Sequence, residues 1–423
     1  MGNSIGNSRH WLVMIGACLI MSAVALGTTC LGFFVKPITT ELGYSRGAFT
    51  LYVSLITLTS IFALPVFGKQ IPKYGIKKLV IVGGIWCSLA FVGLSFAKSL
   101  LSFYIAGAFL GVMLFCITSM ASIVLVNIWF VAKKGLVLGI VAACSGVSGA
   151  IFSMLLPNFI ITYGWRNSYL LLAASMFILT VLPALFFITD APQKVGLMPY
   201  GYDATQKIAG QSGGTAQTGV PYNKAIKSPQ FYILYLGIAL CGIILGVSSH
   251  LPANFMGNGL TPTQTGSLMS IMMMSMIVVK ILEGVMNDKL GSITTTGIIA
   301  TLAVVAFIIM PSASFGILSI AMVLYSFEAA FIGIVPPLMT GQIFGQRDYS
   351  GIWGIYATAG SVGMTIGTPL WGIIYDVTGS YRLGFYGAAV LAIVVFLLFF
   401  LGKKSASNLV FEPVEQKKSL AGL

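Results

Sequence analysis

Three ionisable side chains interrupt long apolar stretches of this sequence: Lys280 and Glu283 share one stretch and Glu328 lies in another. On insertion scales, an ionised group at the centre of a bilayer costs at least about 2.5 kcal/mol, and it persists mainly where it is paired or functional. Lys280 and Glu283 stand at i and i+3, so a helix places them on one face where they can pair, the simplest reading of Glu283. Lys280 precedes Asp288 by about 12 Å of helix, and Glu328 lies near the middle of the run between Ser312 and Arg347. An ammonium at such a depth suits an anion. A carboxyl there suits a coupling proton, or the counter-charge to an unliganded ammonium. Tyr52, Phe115, Tyr325, Tyr356 and Asn254 are candidates to line a cavity around Lys280, each with ordinary helix packing as its alternative. His250, at a helix end, is a candidate proton switch or a satisfied interfacial histidine.

Conventional catalysis has little to work with here. The two histidines, His10 and His250, cannot form a His-rich metal site, and no phosphate-binding P-loop, nucleophile elbow or H-E-x-x-H occurs. Neither an enzyme nor an ATP-driven pump is expected, and no cofactor or metal. Cys18, Cys30, Cys87, Cys116, Cys144 and Cys241 all fall inside apolar runs without metal-site spacing and read as packing residues.

The elements that must position these residues follow from composition. Of 423 residues, 57% are hydrophobic and 8% charged, which excludes a soluble globular domain. A spanning helix takes about 20 apolar residues. Apolar runs bounded by charges or turn residues predict helices at about 11–35, 47–68, 79–97, 100–127, 135–162, 167–188, 230–256, 264–287, 292–310, 314–341, 350–375 and 382–402. The first run is too long for a signal-peptide core and reads as an uncleaved helix. The expected organisation is an N-terminal bundle of six helices (1–188), a flexible polar linker (189–228) that contains Gly210-Gln211-Ser212-Gly213-Gly214-Thr215, a C-terminal bundle of six (229–402) and a tail (403–423). On these spans 17 of the 23 lysines and arginines fall on one side, which the positive-inside rule makes cytoplasmic, together with both termini. Charge so spread over loops argues against a nucleic-acid partner and for contact with membrane lipid.

The halves repeat. An offset of 216 residues carries Gly43, Gly68, Gly75, Gly135 and Arg166 onto Gly259, Gly284, Gly291, Gly351 and Arg382. Six helices per repeat make the halves parallel. The most specific local pattern is the connection after the second helix of each half: Gly68, Lys73 and Gly75 in one copy, and Gly284, Asp288, Lys289 and Gly291 in the other. The first glycine allows close helix approach and the second a left-handed turn, while the cations suit helix C-termini and anionic lipid. Lys280, Glu283 and Glu328 have apolar counterparts at this offset, Leu64, Phe67 and Val112. Scaffold charges should repeat with the scaffold, so the asymmetry points to a functional site in the C-terminal half.

Gly284, Asp288, Lys289 and Gly291 match the Gly-x-x-x-Asp-[Arg/Lys]-x-Gly signature of the major facilitator superfamily, which the whole chain resembles. The first copy departs from it, with Pro72 where the family usually has Asp. Phe33 to Pro37 with Leu42 to Arg46, Trp129 to Gly135, Gly164-Trp165-Arg166 and Val195 to Gly201 are similar to the bacterial monocarboxylate and oxalate/formate branch. The resemblance implies an all-α membrane protein of twelve transmembrane helices in two parallel six-helix bundles, working as a monomer in the cell membrane. That branch commonly has an Arg eight residues before the signature Asp, in contact with the substrate carboxylate. Lys280 holds that position and keeps the charge without the bidentate fork. Oxalate-type relatives carry a second cation in helix 11, absent from Ser350 to Thr358, so a monoanion is expected over a dianion. The expected function is alternating-access transport of a small organic anion, a monocarboxylate, by proton symport or exchange. Lys280 would bind the anion and Glu328 would serve as proton carrier or counter-charge. Its rivals are an exporter of amphipathic or cationic compounds, with Glu328 binding the positive charge, and a transport-dead membrane sensor.

Overall fold

The computed structural model describes residues 8–44, 46–202, 218–406 and 409–413. The first span is α1 (Ser8–Ser22), continued by short 3-10 segments into α2 (Val35–Leu42). α3 (Arg46–Tyr74) and α4 (Ile76–Ser95) follow, then α5 (Leu100–Phe115) joined through a π turn at Cys116–Met120 to α6 (Ala121–Trp129). α7 (Lys134–Phe186) supplies two crossings. After α8 (Tyr222–Ala225) come α9 (Pro229–Leu245) with α10 (Leu251–Gly257), α11 (Pro262–Leu290), α12 (Ser292–Ile309), α13 (Phe315–Phe331) with α14 (Val335–Phe344), α15 (Tyr349–Thr378) and α16 (Arg382–Ser405).

Among the described residues, ten segments are long and apolar enough to cross a membrane. One of them is the 53-residue α7, two crossings divided at Gly164, where φ is 80° and ψ is 162°. With α15, whose Gly/Ser/Thr-rich centre keeps it below that apolarity, the spans number twelve. Several predicted helices are broken where the backbone demands it. The run 314–341 divides before Pro336 and Pro337, which lack the N–H groups that would bond the preceding turn. The run 230–256 changes to 3-10 at Gly246–Ser249, and 11–35 does so at Ala23–Gly27.

Small residues set the packing, as expected where lipid removes the hydrophobic drive between helices. α9 and the 3-10 turn after it lie against α15 through Gly242, Gly246, Gly363 and Gly367. A Cβ on Gly363 would stand 1.9 Å from the Ala239 carbonyl. On the face opposite the termini, Trp165 Nε1 and Arg166 donate to Glu41 at 2.6 and 2.7 Å and tie α2 to the break in α7. Arg166 holds the Glu41 carboxyl below its ordinary range. Gly164-Trp165-Arg166 is thus a break followed by two ligands for one acid.

The linker is docked at both ends, which corrects the expectation of a flexible segment for those stretches. Tyr200 N donates to Trp129 O at 2.8 Å and its carbonyl accepts from Val131 N at 3.0 Å. At the other end, β1 (Thr218–Gly219) pairs with β2 (Glu412–Pro413) of the tail, and Val220 N donates to Phe344 O at 2.8 Å. Lys224 and Arg347 both pair with Glu412, at 2.5 and 3.3 Å; Lys224, then Arg347, holds its carboxyl below the ordinary range. Gly210 to Thr215, Lys207 and residues 414–423 lie outside the described residues.

Candidate functional site

The two motif copies adopt the same backbone. Gly75 has φ 82° and ψ 152°, and Gly291 has φ 80° and ψ 161°, conformations that only glycine takes without strain. The first glycines mark close contacts between the repeats. A Cβ on Gly284 would lie 2.0 Å from Gly135 O, and one on Gly68 would lie 2.3 Å from Ser350 O. Asp288 then reaches across: its Oδ1 accepts from Gly135 N at 2.7 Å and its Oδ2 from Leu136 N at 2.8 Å. A carboxylate on the first amides of α7 meets both orphan donors and the positive end of the helix dipole. Lys289 is exposed, and Lys73 lies over the Tyr74 ring at 5.0 Å.

The Pro72 copy is latched differently. Tyr222 of α8 sits on Gly351, its N–H donates to Asp348 Oδ2 at 2.7 Å, and Lys69 stands 4.9 Å from its ring centre. Here the linker makes the contact at the start of α15, with Tyr222 donating to an acid of that helix end instead of an acid reaching across to helix amides. The close approaches between the repeats, Gly68 to Ser350, Gly354 to Leu64, Gly135 to Gly284, Gly139 to Lys280 and Gly146 to Ile277, run from the terminus-bearing face up to about the level of Lys280. Asp288→Ala is therefore expected to withdraw about 1–2 kcal/mol from closure of that face, a roughly five- to thirtyfold shift in the closed-to-open ratio. Spin-label distances between the exposed ends of α7 and α11 measure it, and unchanged distributions would remove Asp288 from gating.

Lys280 lies at this junction. Its Nζ donates to Ser145 Oγ at 3.2 Å and Ala142 O at 3.3 Å, both on α7. The pairing with Glu283 expected from their i, i+3 spacing does not form. No ion pair joins them among the described residues, because the ammonium reaches across to α7 while Glu283 is 0% exposed with both carboxyl oxygens unpartnered. Glu328 is 2% exposed, with Cys241 near its carboxyl, and its Oε1 has no partner. Glu283 lies within electrostatic reach of both Lys280 and Glu328.

Several predicted lining residues are packed elsewhere. Tyr52 is fully buried, with its hydroxyl 3.2 Å from that of Tyr169 and its ring among Phe49 and Phe103. Tyr356 stacks on Phe231 and donates to its carbonyl at 3.1 Å. Tyr325 is fully buried, with its hydroxyl 2.8 Å from Ser248 Oγ. These three are core side chains here, because each phenol has found a partner inside its own repeat. His250 Nε2 donates to Thr368 O at 2.9 Å and Nδ1 lies 3.0 Å from the Tyr381 hydroxyl, so both ring nitrogens are engaged. Asn254 is buried with Nδ2 unpartnered, and Phe115 is half-buried at the π turn. Ser145 and Ser22 drew no notice in the sequence, and Cys144 and Cys18 read there as packing residues; all four are partly exposed, beside Lys280 or on the α1–α7 seam. Ser22 Oγ donates to Cys18 O at 2.9 Å and lies 3.3 Å from Cys144 O. Small polar residues in a glycine-rich helix give no signal of their own.

The model of the Major Facilitator Superfamily matches residues 17–344 and 257–422. The chain belongs to that superfamily. It is 22% identical to monocarboxylate transporter 6 of Homo sapiens over 90% of this chain and 77% of that one, and 25% identical to monocarboxylate transporter 13 of Bos taurus over 90% and 87%. Among solved structures, the proton:xylose symporter XylE bound to 6-bromo-6-deoxy-D-glucose shares the fold with a TM-score of 0.71 at 13% identity, covering 93% of this chain and 96% of that one. This major facilitator protein is accordingly a multi-span membrane transporter, not an enzyme.

Proposed function

We propose that this transporter moves a small organic anion, a monocarboxylate, by alternating access, driven by proton symport or by exchange. The observation that carries this reading is Lys280: the ammonium of a half-buried lysine at the junction of α7 and α11, bonded only to neutral oxygens among the described residues. An ammonium so placed has charge to offer an incoming carboxylate, whereas one locked to Glu283 would not. The names of the monocarboxylate relatives support the substrate class. Glu328, buried with Oε1 unpartnered, is assigned the coupling proton or the counter-charge; Glu283 is the nearer acid. The bundles are taken as 1–188 and 229–402, and the terminus-bearing face as cytoplasmic on the positive-inside rule.

Uptake of labelled lactate, acetate and formate into proteoliposomes, with and without a pH gradient, tests the reading. Accumulation of at least one is expected, and inactivity toward all three would turn it toward export of amphipathic or cationic compounds. For orientation, thiol reagents added outside should reach cysteines introduced near Lys98 and Asn258 but not near Lys77; the reverse pattern would invert the protein in the membrane.

A further inference from the structure

Lys280, Ser145 and Ala142 form a triangle. Lys280 Nζ donates to Ser145 Oγ and to Ala142 O, and Ser145 Oγ donates to that same carbonyl at 2.8 Å. An ammonium only donates, so Ser145 accepts from Lys280 and has one proton left, directed at a carbonyl of its own helix. That proton turns about the Cβ–Oγ bond without any movement of the backbone. Ser145 and Lys280 are partly exposed whereas Ala142 is buried, so the approachable edge of the triangle joins the ammonium to the hydroxyl. On the neighbouring seam the Ser22 hydroxyl bonds Cys18 O and lies within reach of Cys144 O, and the Ser148 hydroxyl bonds Ser22 O at 2.7 Å. These protons are committed, and they pin α1 against the stretch of α7 that carries Ser145.

We propose that Ser145 is the second donor of the anion site: one carboxylate oxygen accepts from Lys280 and the other from the Ser145 hydroxyl. The inference rests on the anion reading of Lys280 and adds a residue that touches the substrate. Because the donors come from α11 and α7, the bound carboxylate joins the two repeats, and the ammonium releases its bond to Ala142 O as the anion arrives. A two-point grip restores part of the geometric selectivity for a planar carboxylate that a lone ammonium lacks. The arrangement occurs once, since the offset that carries Ser145 onto Ser361 puts Leu64 where Lys280 stands.

The test compares Ser145→Val with Ser145→Thr in the full-length transporter, side chains of like shape of which only Thr keeps the hydroxyl. Labelled lactate, acetate and formate are the probes in proteoliposomes. The KM of whichever is carried should rise roughly tenfold to a hundredfold in the Val variant, the worth of a hydrogen bond to a charged group, and stay close to that of the unmodified protein in the Thr variant. Equal KM values for Val and Thr overturn the donor role, and so does a lower KM for Val, which would make Ser145 a tether competing with the anion. If Lys280→Ala still abolishes uptake in those cases, the anion reading stands without Ser145; if uptake survives it, both fall. Should the Val variant misfold, Ser145→Ala against Ser145→Thr carries the same comparison, read as the carboxylate-induced shift in Tm in detergent.

Discussion

Lys280→Ala is expected to abolish carboxylate uptake, while Lys280→Arg is expected to retain measurable transport with altered selectivity. Truncating one partner of a desolvated, hydrogen-bonded charge pair costs about 2–5 kcal/mol, at least a roughly thirtyfold loss of affinity, and the site has no second cation in α15 to take over. Arginine preserves the charge but presents a planar fork from a longer side chain, so it alters which carboxylates fit more than whether they bind. The competing explanation is structural. If Lys280 mainly offsets a buried acid, its removal strands that acid, and neutralising the acid as well restores folding and transport together. Lys280→Ala/Glu283→Gln and Lys280→Ala/Glu328→Gln decide the matter in uptake assays on purified protein. Folded double variants that still fail to take up carboxylate sustain the anion site; recovered transport in either one would sink it. The bonds of Lys280 to Ala142 O and Ser145 Oγ, with no ion pair to Glu283, favour the first outcome.

Glu328→Gln is expected to separate coupling from binding. The amide matches the carboxyl in shape and stays permanently neutral, so a protein that loads its proton at Glu328 loses accumulation driven by a pH gradient yet continues to exchange labelled for unlabelled substrate. The expected result is the collapse of accumulation to the equilibrium level, with exchange reduced severalfold at most. Glu328 is almost fully buried, with Oε1 unpartnered. An alanine would add a cavity to the loss of charge, which is why the isosteric change is the informative one. If Glu328 serves only as packing, accumulation and exchange decline together with expression. Accumulation unaffected by the change removes Glu328 from the mechanism, and Glu283→Gln in the same assay then asks whether the neighbouring acid, with both oxygens unpartnered, carries the proton.

Much of the architecture was readable from the chain alone, because water and lipid impose strong and simple rules. Long apolar runs, the sidedness of the cations, the 216-residue offset and the paired Gly68/Gly75 and Gly284/Gly291 connections predicted spanning helices in two parallel repeats, and the superfamily match agrees. Lys280 stood out because charge in hydrocarbon is costly. Only the tertiary structure decided what each of these residues touches. Spacing offered Glu283 as the partner of Lys280, yet the ammonium turned to α7, since a helix face has two neighbours and sequence distance ranks only the nearer one. Tyr52, Tyr325 and Tyr356 were candidates for cavity lining or for packing, and only the fold shows each buried with its hydroxyl partnered, while Ser145 carried no signal at all. In a membrane helix the lipid-facing, helix-facing and cavity-facing sides are all built of apolar and small residues, so the polar-against-apolar contrast that orients a soluble helix is missing. The contact beside the Pro72 copy shows the same limit, because Tyr222, which donates to Asp348, comes from the linker and reaches its place only through the fold.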